Sequence, residues 1–440
     1  MPGRRRIGNA QRERRRALII IQNLWIPLDR RVWQECQALL AAGIGVSVIC
    51  PRGPGMRRVQ TIDGVRTRTY LPPPPARGVL GYVLEFVWCW IATAWLAAWT
   101  WRAERFDVLQ ACNPPDTFFT LGWYFQKVHG VRFVYDQHDL CPELFDSRFG
   151  AASHRSLLPR ALRAGLVLLE RGTYRTADHV IATNESYRSV ALRRGRRASE
   201  DVTIVRSGPH PDVMRPMDPC AELRHGAKHL LAYLGVMGPQ DGVDRAIRAM
   251  DFIVHDLGRT DVHLTLMGKG DCLDELQALT GELGLDAYVD FTGRASDALV
   301  AEVCSTADLG LSPDPPSPLN DVSTMNKTME YMAFGLPVVA FDLHETRVSA
   351  GEAAVYVARD DPSFYARAIV GLLDDPLQRE RMGRAARQRV ETVLAWPIQA
   401  RYYVEALTRC MESGATGRQK RDGSRSAASR RPRGEAVAAQ

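Results

Sequence analysis

Short apolar runs alternate with amphipathic stretches along most of the chain. The runs of the first half that predict buried strands are Ala17–Gln22, Gly45–Cys50, Val65–Tyr70, Phe106–Ala111, Val131–Asp136, His179–Thr183 and Val202–Arg206. Those of the second half are His229–Gly235, Val262–Met267, Tyr288–Thr292, Asp308–Ser312 and Pro337–Asp342. Helical spacing of apolar residues separates most of them, as at Arg30–Ala42, Asp116–Val128, Asp244–Val254 and Leu273–Leu283. Continuous apolar strands joined by helices predict an α/β protein with parallel sheets covered on both faces.

The pattern breaks once, near Pro209–Glu222, where turns that contain proline interrupt the periodicity. We therefore predict two Rossmann-like doubly wound domains that face a cleft, the first over residues 17–212 and the second over residues 213–395. A last helix at 396–412 is expected to pack back against the first domain.

Residues 79–101 are apolar except for Glu85, and they are numerous enough to span a bilayer. A single crossing would separate strands that should share one sheet. Trp88, Trp95 and Trp99 fall on one helical face, and tryptophan prefers the membrane interface. We expect a helix that lies in the plane of the membrane, with a buried helix of the first domain as the alternative.

Composition and charge narrow the class of protein further. The nine cysteines are scattered without a CxxC pair, which predicts neither a zinc site nor a disulfide framework and indicates a cytoplasmic compartment. Residues 1–16 carry a net charge of +6 and residues 418–440 one of +5, against +7 for the whole chain, so the body is mildly acidic. We predict disordered basic arms at 1–16 and 413–440, either solvated or attracted to anionic lipid at the inner face of a membrane. No nucleic-acid partner is expected, because the body lacks a basic stripe with interleaved aromatic residues.

Glycine follows three successive strands of the second domain, at the strand ends where α/β sheets bind ligands. The first of these strand ends carries Gly238, the second is Gly268-Lys269-Gly270, and the third includes Arg294. Glycine permits close backbone approach, and the cations suit an anion. Together these residues predict a phosphate-bearing ligand, although a tight strand–helix turn alone would explain the loop that contains Gly238.

The segment after the fourth strand of the second domain predicts a short helix that begins at Ser323 or Thr324 and ends at Gly335. Lys327 lies in its first turn, where the helix dipole disfavours a cation unless an anion is bound. Glu330 lies one turn deeper and could accept hydrogen bonds from a diol such as ribose. The alternative is a solvated polar face with a Lys–Glu pair.

In the first domain, His138 lies between Asp136 and Asp139 just after a strand, and Asn113 follows the neighbouring strand. A histidine flanked by carboxylates at a strand end suits hydrogen bonding or proton transfer to a substrate. A structural histidine is the alternative. A metal held by Asp136, His138, Asp139 and Glu143 is less favoured, since the spacing of these residues matches no strong metal motif.

At these residues the chain resembles a glycosyltransferase of the GT-B fold, similar to the retaining glycosyltransferases of family 4. The resemblance covers roughly residues 17–412 and is most specific in the segment Asn326-Lys-Thr-Met-Glu330 through Ala340. It implies a nucleoside diphosphate sugar in the C-terminal domain, an acceptor in the N-terminal domain, no cofactor and no required metal. It also implies that Asn326 belongs to the donor-binding motif.

The family motifs are only partly present. Glu330 matches the second carboxylate of the E-x7-E motif, which usually holds the ribose hydroxyls, whereas the first carboxylate would fall at Val322. The usual Arg and Lys after the first strand of the domain would fall at Val236 and Asp241. The chain therefore resembles a subgroup with an Asn-Lys motif in place of the first carboxylate, in which His138 touches the donor sugar. The cations that remain to neutralise the diphosphate are Lys327, the first choice, and Lys269, Arg294 and Arg206.

These observations lead to the hypothesis of an enzyme that transfers a sugar from a nucleoside diphosphate sugar to an acceptor hydroxyl, with retention of configuration. A glycan or lipid-linked acceptor of the cell envelope or an exopolysaccharide would suit a cytoplasmic protein associated peripherally with the membrane. The alternatives are a nucleotide-sugar epimerase of the same fold and a non-catalytic protein that binds nucleotide sugars. The base, the sugar, the acceptor and the oligomeric state are not predicted.

Overall fold

The computed structural model describes residues 15–74, 78–149 and 157–428, with side chains described outside 78–80, 148–149 and 413–428. It contains two predominantly parallel sheets with helices on their faces, which confirms the predicted α/β fold with two Rossmann-like domains. Residues 1–14 and 429–440 of the predicted basic arms lie outside the described residues. The prediction of a disordered arm is wrong at Arg16, which begins the first strand and pairs with Gly45.

Within residues 15–74, 78–149 and 157–212, the first domain contains eight strands and six α-helices. In chain order they are β1 Arg16–Ile20, α1 Arg30–Ala41, β2 Gly45–Pro51, β3 Val59–Ile62, β4 Val65–Tyr70, α2 Gly78–Glu104, β5 Val108–Cys112, α3 Phe119–His129, β6 Arg132–Gln137, α4 Cys141–Phe149, α5 Leu157–Thr176, β7 His179–Ala182, α6 Glu185–Arg193 and β8 Val202–Ile204. The sheet has the order β3-β4-β2-β1-β5-β6-β7-β8 and is parallel except for the β3–β4 pair. Strand β3 was not predicted, because this edge strand is mostly exposed and lacks an apolar run.

The second domain contains a six-stranded sheet of order β11-β10-β9-β12-β13-β14. Its elements are β9 His229–Leu234, α7 Val243–Asp251, β10 Val262–Met267, α8 Leu273–Glu282, β11 Val289–Gly293, α9 Asp297–Thr306, β12 Leu309–Ser312, α10 Pro318–Val322, α11 Asn326–Ala333, β13 Val338–Phe341, α12 His344–Ala350, β14 Ala354–Val357, α13 Pro362–Leu373, α14 Pro376–Arg389 and α15 Trp396–Ala428. Every predicted strand overlaps an observed one, and the edge strand β14 was missed.

The final helix α15 leaves the second domain and packs against the first sheet. Trp396, Tyr403 and Leu407 lie in one buried core with Ile19 and Val48. The helix continues through Ala428, past the expected end at 412, so the expectation of a disordered tail is corrected for residues 413–428. Each added residue of an existing helix gains a backbone hydrogen bond, which allows a helix to extend beyond its packed part.

The opposite face of the first sheet is covered by α2, α3 and α5, whose buried side chains share one core. Within the part of the chain that the structure describes, residues 81–104 of α2 form the one helix long and apolar enough to cross a membrane. A stretch of 18 residues in this helix has a mean hydropathy of 1.4, and only 28% of that stretch is buried. The exposed apolar side chains follow one stripe and include Leu84, Val87, Trp88, Ile91 and Trp95.

Candidate active site

The two domains meet where the helices that follow their strands begin. Arg30, the first residue of α1, donates hydrogen bonds to Glu330 on α11 at 3.2 Å and to Asp297. Asn184, which caps α6, donates to the Val322 carbonyl at 2.9 Å. Because helices that follow parallel strands begin at the carboxyl edge of a sheet, the ligand-binding edges of the two domains face one another.

The N-cap of helix α11 lies one or two residues later than predicted. This cap is Met325, and Ser323 instead ends the separate short helix α10, with its hydroxyl donating to the Leu319 carbonyl at 2.7 Å. The end is as expected, with Gly335 at φ 69° just beyond the last turn. The helix thereby directs Lys327 and Glu330 toward the strand ends and the other domain.

Lys327 is buried and already paired within its own domain. Its Nζ lies 2.5 Å from Asp314 Oδ1 and 3.6 Å from Asp241 Oδ1, and 5.2 Å from the centre of the Tyr233 ring. Burial would lower the pKa of Lys327, but Asp314 raises it overall, so the ammonium stays charged. Asp241 stands at the position where the family usually has a lysine, and two carboxylates thus neutralise the cation that was the first choice for a diphosphate.

Glu330 lies at the boundary between the domains, with 20% of its side chain exposed. Burial raises the pKa of Glu330, whereas the bonded Arg30 guanidinium acts in the opposite direction. The neighbouring Asn326 is exposed at the start of the helix. Asp321, near the missing first carboxylate, accepts a hydrogen bond from the His344 backbone at 2.8 Å and so serves the start of α12.

The glycines at the strand ends allow neighbouring loops to cross at close range. A Cβ on Gly268 would lie 1.8 Å from the Gly235 carbonyl oxygen, and one on Gly270 would lie 2.4 Å from the Met237 carbonyl oxygen. A Cβ on Gly238 would meet the Gln240 side chain at 2.8 Å. Backbone packing therefore accounts for glycine at positions 268 and 270 before any ligand is considered, whereas the contact at Gly238 is with the end of a flexible side chain.

Two other predicted cations lie at this edge without such pairing. Lys269 and Arg294 are both exposed, and the structure shows no ion pair for either among the residues it describes. Lys269 approaches the end of β11, where its Cε lies 3.2 Å from the position of a Cβ on Gly293. Arg206, by contrast, is largely buried, with Nη1 3.7 Å from Glu345 Oε2 of the second domain.

On the first domain, Arg31 organises the group that contains His138. The sequence offers it only as one of several residues that could contact substrate. Its Nη2 lies 3.0 Å from Asp136 Oδ1, its Nε lies 3.2 Å from His138 Nε2, and its Nη1 donates to the Val205 carbonyl at 2.8 Å. His138 Nε2 also lies 2.8 Å from Asp136 Oδ2. Burial would raise the pKa of Asp136, but Arg31 and His138 hold it well below its usual range.

The network continues inward to the helix that crosses back from the second domain. Gln110 donates to Glu35 at 2.8 Å and to Asp136 at 3.0 Å, and it accepts a hydrogen bond at 2.7 Å from the Tyr403 hydroxyl on α15. Burial, and then the nearby Asp136, raises the pKa of Glu35 well above its usual value. Helix α15 therefore supports the site as well as the core of the first domain.

Asn113 is buried and acts on the loop that carries His138. Its Oδ1 accepts hydrogen bonds from the backbone N–H groups of His138 at 2.7 Å and Asp139 at 3.1 Å, and its Nδ2 donates to the Asp139 carbonyl at 2.8 Å. Burial raises the pKa of Asp139. Asn113 is thus a positioning residue for the His138 loop.

The structure brings together a different set of possible metal ligands from the one that the sequence suggested. Possible ligand atoms of Cys112, Asp136 and His138 lie within 4.8 Å of one another, whereas Glu143 is bonded to Arg194. Burial raises the pKa of the Cys112 thiol well above its usual value, and the Arg31 guanidinium already occupies the Asp136 carboxylate with a positive charge. This donor set does not favour a metal ion.

Comparison with known proteins defines the class of this protein. The model described as a glycosyl transferase 4-like domain matches residues 28–208, and the model described as glycosyl transferases group 1 matches residues 228–375. These matches and the two facing domains show that the chain is a glycosyltransferase of the GT-B fold. They favour sugar transfer over the epimerase and the non-catalytic alternatives.

The similar proteins support the same class. The D-inositol 3-phosphate glycosyltransferase of Thermomonospora curvata is 27% identical over 310 residues, which cover 66% of this chain and 68% of that protein. The phosphatidyl-myo-inositol mannosyltransferase of Mycolicibacterium smegmatis is 33% identical over 132 residues, which cover 30% of this chain and 32% of that protein. The structure of Anabaena HepE in complex with UDP and glucose aligns with a TM-score of 0.66 at 16% identity, covering 90% of this chain and all of that one.

Proposed function

We propose that the protein transfers a sugar from a nucleoside diphosphate sugar to an acceptor hydroxyl, with retention of configuration. The observation that carries the proposal is the placement of Glu330 on α11, at the edge of the second sheet and in contact with Arg30 of the other domain. A carboxylate there can accept hydrogen bonds from both ribose hydroxyls. Complexes of Anabaena HepE with UDP and glucose give a precedent within the same fold.

The diphosphate would bind at the ends of β10 and β11, where Lys269 and Arg294 are free of acidic partners among the described residues. Lys327 remains close to Gly235, with its Cε 3.1 Å from the position of a Cβ there, and shapes the pocket through Asp314 and Asp241. Ribose would replace Arg30 as the partner of Glu330.

In the transfer step, the bond from the anomeric carbon to the diphosphate oxygen breaks and a bond to the acceptor oxygen forms. The acceptor proton leaves with the nucleoside diphosphate. Fixed cations lower the barrier because they stabilise the charge that develops on the leaving diphosphate. His138, held by Asp136 and by the loop that Asn113 positions, would lie beside the donor sugar from the opposite domain.

A panel of radiolabelled UDP-, GDP- and TDP-sugars, incubated with the full chain and a membrane extract, tests this function. We expect labelled product from one donor with the native protein and with Glu282→Gln, which changes an exposed acid at the last residue of α8, at the edge of the sheet away from the cleft. Glu330→Gln should abolish most of the transfer. Folded protein that transfers no sugar from any donor would contradict the proposal.

We further propose that the acceptor is lipid-linked and that the enzyme works at the cytoplasmic face of a membrane. Besides the apolar stripe on α2, exposed apolar side chains lie on α3, at Trp123 and Tyr124, and on α5, at Leu157 and Leu168. These helices share one side of the first sheet. Exposed tryptophan on such a surface suits the interface of a bilayer.

A basic cavity lies at the end of this surface and adds support. It has a volume of about 180 Å³, and the arginines that line it are Arg171, Arg175, Arg193, Arg194 and Arg196. Arg194 is bonded to Glu143 and Glu170, whereas the other four form no ion pair with the described part of the chain. Four uncompensated guanidinium groups beside apolar helices suit the phosphate of an anionic lipid headgroup.

Sedimentation with vesicles tests the membrane proposal. We expect the full chain to bind phosphatidylglycerol vesicles more strongly than phosphatidylcholine vesicles, and Trp88→Ser together with Ile91→Ser to reduce binding to both. The control is Leu377→Ser, which changes an even more exposed apolar residue of the second domain. Equal sedimentation of native protein and the α2 variant would contradict membrane docking through α2.

A further inference from the structure

A cluster of two histidines and one aspartate lies at the amino ends of three adjacent strands of the second sheet. His225 precedes β9, His263 lies near the start of β10, and Asp290 lies near the start of β11. The donor site occupies the carboxyl ends of the same strands, so the cluster is on the opposite edge and has no part in the proposed sugar transfer.

The three side chains already converge on one point. His225 Nε2 lies 2.8 Å and His263 Nε2 lies 3.0 Å from the same oxygen, Asp290 Oδ2, and the two rings stack with centroids 4.3 Å apart. All three ligand atoms lie within 4.8 Å of one another. Ligand atoms of a tetrahedral site with metal–nitrogen bonds of about 2.0–2.1 Å are separated by roughly 3.3 Å, so small side-chain movements suffice.

His263 is the buried member of the cluster, with 5% of its side chain exposed, whereas His225 and Asp290 face solvent. An ion held by these three groups would therefore have one buried and two accessible ligands, which leaves a path for the ion to enter the site.

We propose that His225, His263 and Asp290 bind one divalent transition-metal ion of the zinc type. Two imidazoles and one carboxylate suit zinc, cobalt or nickel rather than magnesium, which prefers oxygen ligands. The fourth position would hold water, because His225 and Asp290 are about half exposed. The ion ties the end of the segment between the two sheets to β10 and to the edge strand β11.

Calorimetric titration of the metal-free full chain with zinc chloride, and separately with magnesium chloride, tests the site. We expect one zinc ion per chain, no magnesium binding, and a higher melting temperature with zinc. His225→Asn and Asp290→Asn should each weaken zinc binding more than about tenfold. Asparagine suits position 225 because it tolerates the left-handed backbone of His225, which has φ 50°.

The matched control is His255→Asn, which removes an exposed histidine bonded to Asp251 at 2.8 Å in the same domain and should leave zinc binding unchanged. The absorption spectrum of the protein with bound cobalt distinguishes this site from a site built by cysteines, since thiolate ligands would add an intense charge-transfer band. No zinc binding, zinc binding unchanged in both site variants, or a thiolate band lost on alkylation of the cysteines would overturn the proposal.

Discussion

The two sides of the cleft use charge differently. On the first domain, Arg31, Asp136 and His138 bond mainly to one another and to the chain, and the network is buried. On the second domain, Lys327 is paired in the same way, but Lys269 and Arg294 stay exposed without acidic partners in the described residues. The difference indicates that paired groups set the shape of the site, whereas the open cations are available to a diphosphate.

The largest effect should follow from breaking the paired network. Arg31→Met leaves the buried Asp136 without its guanidinium, which should cost about 3–5 kcal/mol of unfolding free energy. Urea unfolding followed by circular dichroism measures it. Arg31→Met combined with Asp136→Asn should recover most of the loss, and a single variant as stable as native protein would contradict the role given to Arg31.

A smaller loss of unfolding free energy should appear at acid pH. The pKa of Asp136 in the folded protein lies below the unfolded value of about 3.9. The unfolded chain therefore takes up this proton first, so the stability that Asp136 contributes is present above about pH 4 and is lost as pH falls further. Urea midpoints above and below that pH should fall less in Asp136→Asn than in native protein. An identical fall in both proteins would contradict this assignment.

The open cations should affect binding and leave stability unchanged. Lys269→Met removes a charged hydrogen-bond donor, which should weaken nucleoside diphosphate binding at least about tenfold, since such bonds contribute about 1.5–3 kcal/mol. Calorimetry measures the affinity and thermal unfolding checks stability. The control is Lys228→Met at the opposite edge of the sheet. A variant that binds the nucleotide with native affinity but melts at a lower temperature would mean that Lys269 stabilises the fold and does not bind the diphosphate.

The smallest effect concerns the contact between the domains. If ribose displaces Arg30 from Glu330, Arg30→Ala should tighten nucleotide binding by up to about fivefold, because a partly exposed ion pair contributes at most about 1 kcal/mol. The same titration measures it. Weaker binding in this variant would mean that Arg30 contacts the ligand rather than competing with it.

The sequence predicted most strands well because parallel strands buried on both faces read as continuous apolar runs. It missed β3, which lacks such a run, and β14, whose apolar run is only four residues long. It also placed Lys327 and Glu330 at the cleft. It could not predict that Asp314 and Asp241 pair with Lys327, or that Arg31 meets Asp136, since those contacts join residues far apart in the chain. The glycines of the strand ends predict phosphate approach, whereas close backbone contacts with Gly235 and Met237 already require glycine at positions 268 and 270.

Titration of the native chain and of Glu330→Gln with UDP, GDP and TDP shows whether α11 belongs to the donor site. We expect at least one nucleotide to bind the native protein at one site. Because a hydrogen bond to a charged group contributes about 1.5–3 kcal/mol, Glu330→Gln should weaken that binding about 10- to 100-fold. Equal affinity of the two proteins for the preferred nucleotide, with both folded, would contradict the assignment of Glu330 and α11 to the donor site.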